Sequence, residues 1–290
     1  LENSVSIRIG RHIVKSIRQP WRIPFLLFSL PYVAIFSGMD YLQRKKNQND
    51  IMETGHKNSL APIEPPVLSK ENQLIYEQLE PHFCNEERHN FEYELMSILH
   101  KFFRKRNIDY WAIGGTLLGQ VKYSGTIPWD HDIDIFVECL PRSIEDEMMD
   151  ELSLIEGCSI RKWLWDNRRP GIQIHDMRAG NNIAIDIFYG HFHENTIYSI
   201  GMNVEKFPEK GRQGIDRIIN PGIRTVNFGN TLICVPTLES TEEYLNWKFG
   251  EDWLSEYVIF DFKEKTSISF PANHHIDEML MSFVVNRSLK

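Results

Sequence analysis

YWAIGGTLLGQVKYSGTIPWDHDIDIFV, Tyr110 to Val137, is the stretch from which the fold is read. Tyr110 to Ile113 is a short apolar run that stops at Gly114-Gly115, where two residues without Cβ let the backbone turn tightly and let a phosphate approach. Thr116 to Val121 fits a short helix whose first N–H groups point at that turn, a favourable place for an anion. The Ser124-Gly125 loop leads through Ile127-Pro128-Trp129 to Asp130-His131-Asp132-Ile133-Asp134-Ile135-Phe136-Val137. An extended chain over this run puts Asp130, Asp132 and Asp134 on one face and Ile133, Ile135 and Val137 on the other. Three like charges on an apolar strand repel one another and resist burial. A cation belongs between them, and hard carboxylate oxygens suit Mg²⁺ or Mn²⁺. The stretch thus predicts strand, glycine turn, helix, loop and strand, with a phosphate cradle beside a metal site. The alternative is a solvated edge strand with an acidic face, which fits poorly with the tight turn and the apolar flanks.

Within this stretch, GTLLGQVKYSGTIPWDHDIDI resembles the signature of the LicD family, which includes bacterial phosphocholine transferases and the animal fukutin and fukutin-related proteins. That family is assigned to the polymerase-β-like nucleotidyltransferase superfamily. The resemblance therefore implies an α/β (α+β) nucleotidyltransferase fold, a mixed sheet flanked by helices. Lys122 stands where the family has arginine, keeping the charge but losing the bidentate fork. His131 stands where a third acid is common, on the face opposite the aspartates. Weaker resemblance runs from roughly Glu71 to Leu254. VPTLESTEEYLNWKFGEDW is similar to the family's C-terminal signature, with Phe249 in place of the commoner tyrosine and a glycine helix stop behind the site.

Read from the residues alone, Asp186 in Ala184-Ile185-Asp186-Ile187-Phe188 is a single carboxylate between isoleucines, and a surface aspartate on an edge strand has the same pattern. The resemblance implies more. Asp186 matches a third acidic ligand, so that Asp132, Asp134 and Asp186 hold Mg²⁺ (or Mn²⁺). Gly114, Gly115 and the Thr116 N–H then cradle donor phosphates, with help from Thr116 Oγ, and Lys122 neutralises further charge. Asp130 or Asp186 serves as the base for the acceptor hydroxyl. The implied reaction moves a substituted phosphate, such as phosphocholine or ribitol phosphate, from a CDP-linked donor to a sugar acceptor and releases CMP. A nucleotidyltransferase acting on a small molecule, and a metal-free glycan-binding scaffold, are the competing classes.

The chain has 290 residues, 42% hydrophobic and 12% aromatic, enough for one sizeable α/β domain with an appendage. Its net charge of −8 is uneven: residues 1–46 carry eight Lys/Arg against Glu2 and Asp40, or +6, leaving −14 on the rest. That split argues against nucleic acid as a partner of the main domain and for an anionic membrane surface as partner of the N-terminus. Ile23 to Met39 is a run of 17 uncharged residues broken by Pro24 and Pro31. It is marginal against the roughly 20 that a spanning helix needs. No clear small-x-small site closes it, so a cleaved signal peptide is not expected. We expect a peripheral or monotopic attachment at the cytoplasmic face of a membrane. The alternatives are a type II anchor with the catalytic domain in the Golgi lumen, and a core helix packed on the domain. The expected organisation is a membrane-associating segment (1–43), a polar Pro-containing linker (44–70) and a catalytic domain (71–290). Cys84, Cys139, Cys158 and Cys234 are scattered, without a Cys-x-x-Cys pair, and fit reduced core thiols better than a zinc site.

Phe91, Leu95, Ile98, Leu99, Phe102 and Phe103 recur at helical spacing and predict an amphipathic helix over Glu86–Arg106. Ser143 with Asp146 predicts a capping box opening a helix to about Leu154. Strands are expected near Ser159–Trp165, Gly171–His175 and Ile183–Phe188, and a hairpin around Gly229-Asn230. Ser240 and Glu243 are expected to cap the helix that follows. His191 and His193 read as exposed imidazoles in a turn, and His175 as a minor candidate for substrate contact. The polar segment Gly201–Arg224 reads as a long surface loop whose cations can meet phosphates. After Trp253 the sequence predicts no element.

Overall fold

The computed structural model describes residues 62–288, apart from 139, 166–167, 179, 194–195, 200–221 and 262–265. The expected membrane-associating segment, most of the linker and most of the Gly201–Arg224 loop lie outside the described residues. Among the described residues no helix is long and apolar enough to cross a membrane.

The chain opens with α1 (Lys70–Leu79), capped by Ser69, whose side chain accepts from the Asn72 N–H. A short 3-10 turn leads to α2 (Glu86–Lys105), where Asn85 caps the first turn through the Arg88 N–H at 2.8 Å. This is the helix expected from the aromatic spacing. Then come β1 (Tyr110–Ala112), α3 (Gly114–Tyr123), β2 (Ile133–Glu138) and α4 (Arg142–Ser153). The strands β3 (Cys158–Trp165), β4 (Arg168–Asp176), β5 (Asn182–His193) and β6 (Thr196–Ser199) complete the main sheet. The hairpin β7 (Ile223–Phe228) and β8 (Thr231–Pro236) precedes α5 (Leu238–Phe249), which ends at Gly250.

The main sheet has the order β1-β2-β5-β4-β3, with β6 on the far end of β5. Only β2 and β5 pair in parallel; the others are antiparallel. Because α4, β3 and β4 intervene between β2 and β5, the mixed sheet has two parallel strands at its centre, flanked by helices. Ile133, Ile135, Ile185 and Ile187 are buried there with Leu95, Leu99 and Phe103 of α2 and Phe228, Ile233 and Val235 of the hairpin. Each such side chain contributes roughly 1.5–3 kcal/mol by leaving water.

A second core lies on the other face of α3. Tyr123, Ile127 and Trp129 pack with Tyr257, Ile259, Ile276 and Leu280. These come from β9 (Glu256–Asp261) and α6 (His274–Ser288), with Phe270 of β10 (Thr266–Pro271), the antiparallel partner of β9, packed against them; the sequence had indicated none of these elements.

Two capping expectations are corrected. α4 begins at Arg142 behind Pro141 with no side-chain cap, because Asp146 turns outward to Lys162 at 3.1 Å instead of closing a box with Ser143. α5 is capped by Thr237, not Ser240: the Thr237 hydroxyl accepts from the Ser240 N–H. Cys84, Cys158 and Cys234 are unbridged, while Cys139 is outside the described residues.

Candidate active site

The site forms where β1 ends and α3 begins. Gly114 has φ +56°, a backbone conformation that costs side-chain-bearing residues, and an added Cβ would sit 3.0 Å from Asp134 Oδ2. At Gly115 a Cβ would lie 2.3 Å from Asp130 Oδ2. The glycine pair is therefore the floor on which two carboxylates rest. The Gly114 N–H donates to the Tyr244 hydroxyl at 2.8 Å, so its part is to lack a side chain rather than to offer a donor. Helix geometry leaves the N–H groups of Gly115 and Thr116 without intrahelical carbonyls, aimed at the same space. The Thr116 hydroxyl, expected to help with phosphate, is buried and accepts the Asp134 N–H at 2.7 Å. That bond pins β2 to the start of α3.

Extended chain begins only at Ile133, so the expected strand from Asp130 is shortened. Asp130 closes a turn after Pro128, its N–H on the Ile127 carbonyl at 2.9 Å, and its Oδ1 accepts the His131 N–H. Asp132 stands just before β2 and Asp134 within it. Parallel pairing sets Asp134 directly opposite Asp186 on β5. Carboxylate oxygens of Asp132, Asp134 and Asp186 all lie within 4.8 Å of one another.

These three residues fit a hard divalent cation. Asp186 Oδ1 is buried with no hydrogen-bond partner, although Gln173 on β4 bonds the same carboxyl group. An orphaned oxygen aimed at two further carboxylates is a ligand in search of a cation. Without one, burial first and then the Asp132 charge push Asp186 up to about 6. Burial, again followed by Asp132, pushes Asp130 up to about 7. Asp132 is raised by burial too, against the opposing charges of Arg88 and His131.

Arg88 is the site residue that sequence reasoning missed. Its Nη2 donates to the backbone carbonyls of His131 and of Ile183, the latter at 2.7 Å, and its Nε to Glu92 Oε1 at 3.0 Å. One guanidinium thus ties α2 to the segments that deliver Asp132 and Asp186. Glu92 is fully buried, and burial pushes its carboxyl well above the usual range despite Arg88. The 3.6-residue period that runs through Leu95 and Leu99 carries Arg88 and Glu92 onto the same inward stripe of α2. Charged residues at i, i+4 on an otherwise apolar stripe are the signal by which the sequence offered this pair.

Lys122 does not point at the aspartate cluster. It is buried with Nζ 3.3 Å from Asp277 Oδ1 and 4.7 Å from the centre of the Tyr257 ring. His131 is exposed, its Nδ1 lies 3.1 Å from Cys84 Sγ, and its charge still acts on the neighbouring Asp132. His175 is buried, with Nδ1 3.2 Å from the Asn181 carbonyl oxygen. The side chains of His191 and His193 lie outside the described set. Beside Asp130 and Gly115 opens a cavity of about 530 Å³ whose other walls come from α3, Trp129 and the chain from Phe249 to Phe260.

A mixed α/β fold that sets three carboxylates beside the free N–H groups of a helix N-terminus can hold a divalent cation against a phosphate. Residues 107–237 match the family described as LicD/FKTN/FKRP, nucleotidyltransferase domain, and form a LicD-family domain. An uncharacterized protein of Rickettsia prowazekii (strain Madrid E), RP689, is 34% identical over 121 residues, 40% of each chain. A second, RT0683 of Rickettsia typhi (strain ATCC VR-144 / Wilmington), is 51% identical over 43 residues, 15% of this chain and 14% of the relative. The chain spans well under half the length of either relative. All eight residues proposed from sequence for the site fall inside the matched family segment.

Proposed function

We propose that the protein is a metal-dependent transferase on a nucleotidyltransferase fold. It moves a substituted phosphate, of the phosphocholine or ribitol phosphate kind, from a CDP-linked donor to a sugar of a surface polysaccharide, lipopolysaccharide or glycoprotein glycan, and CMP leaves. The supporting observation is the Asp132–Asp134–Asp186 cluster beside the N-terminus of α3, inside the LicD-matched segment. Asp132, Asp134 and Asp186 would hold Mg²⁺ or Mn²⁺, which when bound neutralises charge on the transferring and leaving phosphates. The N–H groups of Gly115 and Thr116 bind and orient the donor phosphate, and Gly114 lets it approach. Asp130, outside the three-carboxylate cluster yet touching Gly115, takes the proton of the acceptor hydroxyl. Arg88 holds the two aspartate-bearing segments in register. Residues 1–43 attach the catalytic domain (71–290) to the cytoplasmic face of a membrane through the 44–70 linker.

The test is to incubate the full chain with Mg²⁺ and CDP-choline, CDP-ribitol or CDP-glycerol and follow CMP. Release from a CDP-alcohol, abolished by chelation and by Asp134→Ala, is the expected result. Pyrophosphate from CTP or ATP with no CDP-alcohol turnover would instead assign nucleotidyl transfer. Glycan modification in cells that survives Asp132→Ala with Asp134→Ala would assign a scaffold.

A further inference from the structure

The cavity of about 530 Å³ beside Asp130 is within the range of small-ligand sites, and none of the metal-cluster aspartates lines it. It meets the site only through Gly115, Asp130 and His131. A donor diphosphate belongs with the carboxylate cluster and the α3 N-terminus. A molecule that reaches Asp130 from the cavity side is therefore the other substrate. The far wall is built from the Phe249–Trp253 turn and β9, beyond residue 237 where the family match ends.

That wall has a definite chemistry. Phe249 and Phe260, 42% and 48% exposed, line it together with the buried Trp253 and Tyr257. Glu251, Asp252 and Glu256 join Asp130 as its carboxylates. Lys122 is also in the wall, but Asp277 at 3.3 Å and the Tyr257 ring already compensate its charge. Aromatic faces cover the apolar C–H side of a pyranose, and carboxylates accept from its hydroxyls. Glu251, Asp252 and Glu256 repel a further anion.

We propose that this cavity is the acceptor subsite and that it takes a neutral or amino sugar while excluding acidic ones. The assignment rests on the transfer reaction proposed above for the word acceptor; the sugar class rests on the wall itself. Saturation-transfer NMR on the full chain, with methyl glucoside, glucosamine and glucuronate as probes, tests it. Methyl glucoside and glucosamine should show contact and glucuronate none. Phe249→Ala and Phe260→Ala, both at exposed positions, should weaken the contact about three- to tenfold each. Glu251→Gln with Glu256→Gln should admit glucuronate. CDP-alcohol hydrolysis to CMP should be unchanged in the two phenylalanine variants, which separates this subsite from the donor site. If no CDP-alcohol is hydrolysed while the sugar pattern holds, the transfer reaction fails and the sugar class survives. Equal or stronger binding of glucuronate, absence of any sugar contact, or displacement of the sugars by CMP or choline would overturn the proposal.

Discussion

Asp186→Asn should make the metal-free protein more stable and the metal-loaded protein relatively less so. In the absence of metal the Asp186 carboxyl is raised from 3.8 to about 6, chiefly by burial and then by Asp132. Between those values the folded protein binds a proton that the unfolded chain does not, so stability falls as pH rises through this window and stays lowered above it. At 1.36 kcal/mol per unit the cost at pH 8 is about 3 kcal/mol. Partial exposure of the side chain and a weakened bond from Gln173 reduce the recoverable part to about 1–2 kcal/mol. Metal works the other way: a ligand at 100 times its Kd stabilises by about 2.7 kcal/mol, and asparagine removes one anionic ligand. Urea denaturation of wild type and Asp186→Asn, in EDTA and in Mn²⁺ at pH 4 and pH 8, reads all of this out. In EDTA the variant should be the more stable at pH 8 with little difference at pH 4, and Mn²⁺ should reverse the order. A variant less stable than wild type in EDTA at pH 8, or one that keeps the full Mn²⁺ shift, would refute the idea that these carboxylates are held together for a cation.

Other consequences are as direct. Gly115→Ala places a Cβ where Asp130 Oδ2 now sits, 2.3 Å away, and should cost about 1–3 kcal/mol by displacing that carboxylate, with CMP release falling further than folding; normal turnover in this variant would remove Asp130 from the reaction. Arg88→Ala strands a fully buried Glu92 and should cost about 3–5 kcal/mol in chemical denaturation, whereas Arg88→Met with Glu92→Leu should recover most of it. A double variant as unstable as the single one would show that the bonds to the His131 and Ile183 carbonyls matter more than the buried pair. His89 is buried and lowered from 6.5 to about 4, first by burial. The unfolded chain binds its proton in that window, so acidification from pH 6.5 to 4 should remove about 3 kcal/mol through this residue. His89→Gln should flatten that part of the acid limb of a denaturation profile; an unchanged slope would place the titration elsewhere.

What was legible in the sequence divides by the range of the interactions that fix it. The glycine turn, α2, the hairpin and the aspartate strand are set by local chemistry: a missing Cβ, a 3.6-residue period, a Gly-Asn turn signal, alternation across a pleat. The third carboxylate was found only through resemblance, since Ala184-Ile185-Asp186-Ile187-Phe188 is an ordinary strand until parallel pairing sets Asp186 against Asp134. The capping errors have a different origin. Ser143 and Ser240 are sound N-cap residues, but a proline just before one helix and a threonine three residues earlier in the other begin the turn sooner. β9, β10 and α6 escaped because their apolar faces are matched to α3 and Trp129, far away in the chain, and the short strands between polar residues have little period of their own. The same distance explains Lys122. Its charge suggested a phosphate ligand, yet Asp277, well beyond the family-matched segment, lies within 3.3 Å of it. A cation that arginine would direct outward by its fork is here a point charge that can be folded under Tyr257. The donor site proposed above then consists of the α3 N–H groups and the three aspartates. Lys122 lines the aromatic, acidic cavity and is held by Asp277, so the residue that departs from the family pattern belongs to the wall proposed for the acceptor rather than to the aspartate cluster.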